Sequence, residues 1–198
     1  MDATEPKKSL LEQYTELSKN SLVKVQYSCG GISTGIEEHE DIPIVPDSYI
    51  PEIAVVYRLA SDEDVEAILQ LLKTNDLPIS DLSSGHRLFF VAVSDDKTVG
   101  CVAVEIFETI GLLRSLALNI DFRGKGIGQK LVTQAETWGS ENGLKSMYLL
   151  TTSASGFFSK LGWEIIERNS VPHSIATSSE FAFICPTSAI CMFKNIDI

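Results

Sequence analysis

From residue 53 onward, short runs of apolar residues alternate with segments in which apolar residues recur every three or four positions. The first pattern predicts buried strands and the second predicts amphipathic helices. We predict strands at 53–59, 87–93, 98–107, 110–118, 147–151, 163–167 and 189–193, and helices at 61–72, 126–139 and 154–161. This order is that of a mixed α/β domain, a twisted mixed sheet of about seven strands flanked by helices.

The first 52 residues differ from the rest of the chain. Between residues 9 and 19, leucine and tyrosine side chains recur at helical spacing and predict a short amphipathic helix. The stretch from Glu37 to Pro51 is acidic and contains three prolines, which is typical of a linker. We therefore predict an N-terminal helix and an acidic linker over 1–52, followed by a compact domain over 53–198.

Composition and charge narrow the class of protein. A net charge of −11 argues against a nucleic-acid partner, and the absence of a long apolar run argues against a membrane span. Four cysteines without a Cys-x-x-Cys pair fit a reducing, cytoplasmic compartment. Cys185 and Cys191 are six residues apart and are either two inert thiols or ligands of a soft metal. Since no cluster has the spacing of a metal site, we expect no metal.

Residues 123–128 read Arg-Gly-Lys-Gly-Ile-Gly and lie between a predicted buried strand and a predicted helix. Glycines let backbone amides converge without side-chain obstruction, and the helix N-terminus adds a partial positive charge. Arg123 and Lys125 add full charges, so the segment suits a pyrophosphate group, although a simple glycine-rich turn remains open. No Lys-Ser or Lys-Thr pair follows the last glycine, which excludes a Walker loop, and the glycine spacing does not fit the dinucleotide fingerprint.

Two motifs together resemble the GNAT acetyltransferase superfamily. Residues 123–128 match its cofactor motif, Arg/Gln-x-x-Gly-x-Gly/Ala, and residues 157–163, Phe-Phe-Ser-Lys-Leu-Gly-Trp, are similar to Phe-Tyr-x-Lys-x-Gly-Phe. The resemblance covers residues 53–198 and implies the GNAT fold, with acetyl-CoA as cosubstrate. It implies that one strand binds the pantetheine arm and that the glycine loop binds the pyrophosphate. The implied cofactor-binding residues are Leu116, Ala117, Leu118, Arg123, Gly124, Lys125, Gly126, Ile127, Gly128 and Phe158.

The chain departs from the family pattern at Phe158, where the family has a tyrosine that protonates the departing thiolate. Phenylalanine cannot donate a proton. A thiol has a pKa near 8.5, so its thiolate leaves with modest help, and we expect the departure to slow the reaction rather than forbid it. Thr151 and Thr152 supply hydroxyl groups nearby and are candidate catalytic residues, with strand-end capping as the alternative.

The motifs around 149–163 resemble the amino-acid N-acetyltransferases, and residues 172–192 resemble GNAT proteins associated with arsenic resistance. The resemblance implies an N-acetyltransferase that acts on the primary amine of a small amino-acid-like molecule. We expect Arg114 to bind the substrate carboxylate, with Arg87 and Glu180 as further substrate-binding residues, and Glu105 to act as the base. Structural salt bridges or solvent-facing positions are the alternatives for these four residues. A non-catalytic acyl-CoA-binding or regulatory module and a homodimer both remain open.

Overall fold

The computed structural model of the chain describes residues 54–81 and 87–197. The predicted N-terminal helix and linker lie outside these residues, so the division of the chain after residue 52 stays a prediction. Within the described residues, seven strands form one mixed sheet with helices beside it, which confirms the predicted fold class. The strands are β1 Val56–Leu59, β2 Arg87–Ser94, β3 Lys97–Phe107, β4 Ile110–Leu118, β5 Ser146–Thr151, β6 Glu164–Ile166 and β7 Ile190–Asn195.

Four α-helices accompany the sheet in the described part of the chain: α1 Val65–Thr74, α2 Ile127–Glu141, α3 Ser155–Lys160 and α4 His173–Ala176. A short π-helix, Glu180–Ile184, follows α4. The sequence had predicted only a long connection over 168–188, because a four-residue helix and a π-helix leave almost no periodic signal. No helix in the described ranges is long and apolar enough to cross a membrane.

The strand order in the sheet is β1-β2-β3-β4-β5-β7-β6, so the last strand of the chain lies between β5 and β6. Strands β1 to β4 form an antiparallel meander, whereas β4 and β5 run parallel. The tight turn between β2 and β3 is formed by Asp95 and Asp96, both at positive φ, as a two-residue hairpin with the right-handed twist of its strands requires.

Two buried clusters lie on one face of the sheet. In the first, Ile68, Leu71 and Leu72 of α1 pack against Val91, Cys101 and Ala117. In the second, farther along the same face, Ile175 of α4 and Phe181 of the π-helix pack against Leu112 of β4, Tyr148 of β5 and Cys191 of β7. The segment after β6 therefore covers β4 and β5 on one side, next to the place where these two strands separate.

A capping box formed by Ser61 and Asp64 begins the 3₁₀ turn that leads into α1. The Asp64 carboxylate accepts hydrogen bonds from the Ser61 amide at 2.7 Å and the Ser61 hydroxyl at 3.0 Å. It also accepts from Arg58 at 2.6 Å and from Thr98 of β3 at 2.8 Å. Burial disfavours the charged carboxylate, but the hydrogen bonds outweigh it and lower the pKa of Asp64 to about 2. This single side chain joins β1, α1 and β3.

Candidate active site

Strands β4 and β5 pair over three positions only and then separate. The parallel pairing joins Ile110 to Ser146, Gly111 to Met147 and Leu112 to Tyr148, and no pairing continues beyond Leu112. Both strands nevertheless continue, β4 to Leu118 and β5 to Thr151. The peptide groups of the second half of β4 are therefore not used by β5, which leaves them able to pair with an extended ligand.

A bulge in β4 lies at this separation. Cys101 pairs with Ala117 and Ala103 pairs with Arg114, so Ser115 and Leu116 together oppose one residue of β3. Ser115 has a φ of 57°, in the left-handed region that a bulge residue often adopts. The bulge bends β4 away from a regular ladder. Of the residues predicted to bind the pantetheine arm, Leu116 lies in the bulge, and Ala117 and Leu118 lie directly after it, beyond the end of the β5 pairing.

The backbone of the glycine loop between β4 and α2 is open at Gly124 and Gly126. Gly124 and Gly126 adopt φ values of 74° and 76°, and a Cβ atom added to either glycine would meet no protein atom within 4 Å. Gly126 precedes the first residue of α2, and the first turn of that helix contains no acidic side chain. The amide N–H groups of residues 124–129 donate to no acceptor in the described ranges. Such a set of free amides at a helix N-terminus favours an anion.

Two cationic side chains flank this loop. Arg123 is exposed and donates a hydrogen bond to the neutral Oδ1 of Asn75 at 2.6 Å. The exposed Lys125 ammonium lies 5.3 Å from the centre of the Phe122 ring. Neither forms an ion pair with a described carboxylate. Open space, free amides and two uncompensated charges together fit a pyrophosphate group.

Phe158 and Thr151 lie at the other side of the strand separation. Phe158 is buried in edge-to-face contact with Phe157 at 5.0 Å and Trp163 at 5.8 Å between ring centres. The Thr151 hydroxyl accepts a hydrogen bond from the Ala154 amide at 2.9 Å, which is strand-end capping at the start of α3. Thr152 is exposed. The catalytic roles of the two threonines stay predictions.

Four residues predicted for the substrate side lie in one buried ion-pair network, together with Asp81. Glu105 Oε2 accepts from Arg87 at 3.0 Å and from Arg114 at 3.2 Å. Arg114 also contacts Asp81 at 2.8 and 3.1 Å and Glu180 of the π-helix at 2.6 Å. Arg87 donates to Asp81 at 2.8 Å. The network thus joins β2, β3 and β4 to the π-helix that covers them.

Arg114 has little free hydrogen-bonding capacity in this network. A guanidinium has five N–H donors, and three hydrogen bonds from the two terminal nitrogens go to Asp81 and Glu105. Glu180 Oε2 lies 2.6 Å from Nη2 as an ion pair without hydrogen-bond geometry, and the Nε donor is buried and has no partner in the described residues. A substrate carboxylate would reach Arg114 through Nε or by displacing one of the three carboxylates. The predicted substrate-binding role of Arg114 therefore stays a prediction.

Asp81 is a member of the network that sequence reasoning missed. Burial disfavours its charged form, but hydrogen bonds from Ser179 and Arg114 and the charges of Arg114 and Arg87 lower the pKa of Asp81. Ser179 donates to Asp81 at 2.7 Å from a position 98 residues away in the chain. A single aspartate in a loop sequence gives no sign of such a partner, so only the tertiary structure reveals it.

The cysteines of the described residues are free thiols. The Cys185 thiol donates to Glu180 Oε1 at 3.0 Å, and burial together with this hydrogen bond raises the pKa of Cys185 to about 12. Burial raises the pKa of Cys191 to about 11. Both thiols are therefore protonated at neutral pH. No group of three metal-ligating side chains occurs among residues 54–81 and 87–197.

The family comparison includes both motifs of the candidate site. A family model described as an acetyltransferase (GNAT) domain matches residues 85–165, the stretch that contains the glycine loop and the Phe157–Trp163 motif. This stretch is therefore similar to GNAT acetyltransferase domains. The match also includes Arg87, Glu105 and Arg114 of the buried network, whereas Asp81 and Glu180 lie outside the matched stretch of the GNAT domain.

Curated relatives of the GNAT domain include an uncharacterized N-acetyltransferase of Chlorobaculum tepidum, 43% identical over 91 residues that cover 45% of this chain and 57% of the relative. An amino-acid acetyltransferase of Serratia proteamaculans is 26% identical over 175 residues, 84% of this chain and 36% of the relative. The chain thus spans between about a third and somewhat more than half of the length of these relatives.

Solved structures with the same fold include N-acetylglutamate synthase from Neisseria gonorrhoeae complexed with coenzyme A and N-acetyl-glutamate. The match has a TM-score of 0.62 at 18% identity and covers 74% of this chain and 36% of that chain. A Mycobacterium tuberculosis protein in complex with CoA and NLQ matches with a TM-score of 0.60 at 25% identity, over 71% of this chain and 98% of that chain. These similarities agree with the GNAT fold of the described residues.

Proposed function

We propose that this chain is an acetyl-CoA-dependent N-acetyltransferase that acts on the primary amine of a small amino-acid-like molecule. The observation that carries the proposal is the open glycine loop, with its free amides and uncompensated Arg123 and Lys125, beside the separation of β4 and β5. The GNAT domain match and the coenzyme A complexes of proteins with the same fold support this choice of cosubstrate.

The chemistry asked of the chain is transfer of an acetyl group from sulfur to nitrogen. The amine nitrogen attacks the thioester carbon, a C–N bond forms, the C–S bond breaks, and the amine proton goes to a base while the thiolate takes up a proton. In the proposal, the peptide groups of Leu116 to Leu118 hold the pantetheine arm, and residues 123–128 hold the pyrophosphate. Glu105 takes the amine proton, directly or through water.

The geometry of Glu105 is compatible with this role. Both arginine hydrogen bonds go to Oε2, while Oε1 accepts none from a described residue. Two guanidinium groups on one oxygen hold the side chain in a single orientation and leave the second oxygen for a proton or a water molecule. Glu105 also belongs to β3, which neighbours the bulged strand β4. The proposed base is thus positioned by the same network that holds Arg114.

The identity of the amine that accepts the acetyl group rests on fewer observations than the identity of the cosubstrate. Amino-acid acetyltransferases among the relatives support an α-amino acid, whose carboxylate would interact with Arg114 by exchange with Glu180. The resemblance of residues 172–192 to arsenic-resistance proteins extends the proposal to phosphinic and arsinic amino-acid analogues. A cytoplasmic location and a homodimer belong to the same proposal.

A substrate panel tests the proposed activity. Purified full-length chain is incubated with acetyl-CoA and matched pairs of α-amino acids and their decarboxylated amines, and with the phosphinic and arsinic analogues. Acetylated products are measured by mass spectrometry and CoA release by a thiol assay. We expect acetylation of at least one amino acid and at least tenfold slower reaction of its decarboxylated partner, because the partner lacks the carboxylate that Arg114 would bind.

Replacement of the proposed base tests the mechanism. Glu105→Gln should lower kcat/KM about a hundredfold near neutral pH, with the loss shrinking at high pH, where the amine is already deprotonated. Glu108→Gln, at an exposed position in the β3–β4 turn, is the matched control and should leave activity unchanged. A pH-independent loss in Glu105→Gln would assign Glu105 to structure alone.

The second candidate function is a non-catalytic acyl-CoA-binding or regulatory module. The specific observation in its favour is Phe158, which cannot protonate the departing thiolate and is buried between two aromatic rings. Calorimetric binding of CoA with no acetyl product from any amine in the panel would support this module and contradict the proposed enzyme.

A further inference from the structure

Asn75 lies at the C-terminal end of α1. It connects this helix to Leu118, the last residue of β4, and to Arg123, the first residue of the glycine loop. Its side-chain Nδ2 donates to the Leu71 carbonyl at 2.7 Å and to the Leu118 carbonyl at 3.2 Å. Its Oδ1 accepts from Arg123 Nη2 at 2.6 Å. One amide side chain thus holds the last residue of β4 and the first residue of the loop, which are 43 and 48 residues away from it in the chain.

The orientation of the Asn75 amide follows from its partners. The two carbonyl oxygens can only accept hydrogen bonds and the guanidinium can only donate, so the NH2 group faces the carbonyls and the oxygen faces Arg123. A flipped amide would place oxygen against oxygen and donor against donor. The three contacts therefore define one side-chain conformation, which ties the position of Arg123 to the end of β4.

The neutrality of Asn75 matters as much as its position. A carboxylate here would bind Arg123 as an ion pair and cancel the charge that the loop presents to an anion. The neutral amide orients the guanidinium through one nitrogen and leaves its charge uncompensated by any described carboxylate. The remaining N–H donors of Arg123 and the neighbouring amides of residues 124–129 make no hydrogen bond to a described residue.

We propose that Asn75 is a positioning residue for the pyrophosphate of CoA: it holds Arg123 and the end of β4 so that charge and amides converge on one anion. This inference rests on the proposed function. Asn75 does not touch the reacting atoms and acts through Arg123 and the Leu118 carbonyl. Its effect should therefore appear in the affinity for CoA, and it should depend on the presence of the phosphate groups.

Asn142 offers a matched control in the same chain. It follows the last residue of α2, as Asn75 follows α1, and its Nδ2 donates to the carbonyl four residues earlier, Trp138, at 2.8 Å. It makes no side-chain contact with the glycine loop. Asn142→Ala removes the same helix-end hydrogen bond that Asn75→Ala removes, without the links to Leu118 and Arg123. The difference between the two variants isolates the contribution of the loop contacts.

CoA binding to the full-length variants is measured by calorimetry, with thermal unfolding of the free proteins as a check on folding. We expect Asn75→Ala to weaken CoA binding about fivefold or more and Asn142→Ala to bind as the unaltered chain does. Asn75→Asp should weaken binding further, because its carboxylate pairs with Arg123 and repels phosphate. In the Arg123→Ala background, Asn75→Ala should weaken CoA binding less than it does in the unaltered chain, because only its link to the Leu118 carbonyl is left to lose.

An acetyl donor without the pyrophosphate distinguishes a role of Asn75 in pyrophosphate binding from a general loss of structure. With acetyl-pantetheine, which lacks the pyrophosphate, Asn75→Ala and Asn142→Ala should have the same kcat/KM, whereas with acetyl-CoA only Asn75→Ala should show a raised KM. Two results would overturn the positioning role of Asn75 and leave the proposed function intact. One is equal CoA affinity of the two alanine variants, and the other is an equal decrease in kcat/KM of Asn75→Ala with acetyl-CoA and with acetyl-pantetheine. No CoA binding by the unaltered chain would overturn the proposed function as well.

Discussion

Replacing Gly126 by alanine tests the anion-binding loop most directly. Gly126 has a φ of 76°, and an added Cβ atom would meet no protein atom within 4 Å. The folded chain therefore experiences only the backbone strain of a left-handed alanine, about 1–2 kcal/mol, partly offset by about 0.4–1 kcal/mol from the reduced freedom of the unfolded chain. The net loss of about 1 kcal/mol corresponds to a decrease in Tm of about 2–4 °C for a domain of this size.

Gly143 provides the matched control for this strain. It has a φ of 86°, is equally open around its Cβ position, and follows the other end of α2. The helix is 15 residues long, which places the two glycines about 25 Å apart along its axis. Gly126→Ala and Gly143→Ala should therefore destabilise the free protein by similar amounts, and only the first should interfere with a ligand on the loop.

The expected difference lies in CoA binding. A methyl group at Gly126 keeps the phosphate from approaching the amides, and a hydrogen bond to a charged group contributes about 1.5–3 kcal/mol, which is about tenfold or more in Kd. Thermal unfolding without ligand and calorimetry with CoA measure the two effects separately. Equal CoA affinity of the Gly126→Ala and Gly143→Ala proteins would refute the assignment of this loop to the pyrophosphate.

Two further predictions concern stability and rate. Asp64→Asn should lower the free energy of unfolding at pH 7 by about 2 kcal/mol, because a pKa of about 2 in the folded chain against 3.8 for a free side chain stabilises the fold. This difference from the unaltered chain should disappear as the pH falls from about 4 to about 2; urea unfolding at several pH values measures it, and a difference that persists at pH 2 would contradict the ion-pair origin. Phe158→Tyr should raise kcat about tenfold by supplying a proton to the departing thiolate, with Phe157→Tyr as the control. A kcat that stays unchanged in Phe158→Tyr would mean that thiolate departure is not limiting.

The sequence predicted the fold class and the position of the glycine loop because both depend on local patterns. Apolar runs and helical spacing follow from the backbone geometry of strands and helices, so all seven strands were expected near their observed positions. The loop combines glycines, a helix start and two cations within six residues, and these features need no distant partner to be recognised. The structure then added the positive φ values and the open space around Gly124 and Gly126.

The substrate side could be predicted only as a set of separate candidates. Arg87, Glu105, Arg114 and Glu180 were each singled out as charged residues. Alternation along the strands assigns the first three to a face of the sheet but gives no partner, and Glu180 lies outside the strands. Their meeting with Asp81 depends on the register of β2, β3 and β4 and on the return of the π-helix over the sheet. The ion pairs that surround Arg114 with three carboxylates therefore belong to the tertiary structure.

By itself, the sequence determined that this chain forms a mixed sheet with helices and has a loop suited to an anion, because periodicity and glycine spacing act over a few residues. Only the tertiary structure decided that β4 and β5 separate beyond Leu112, that β7 enters between β5 and β6, and that Asn75 holds Arg123. Each of these features joins residues that are far apart in the chain, and such contacts depend on which chain segments pack together rather than on the pattern within any one of them.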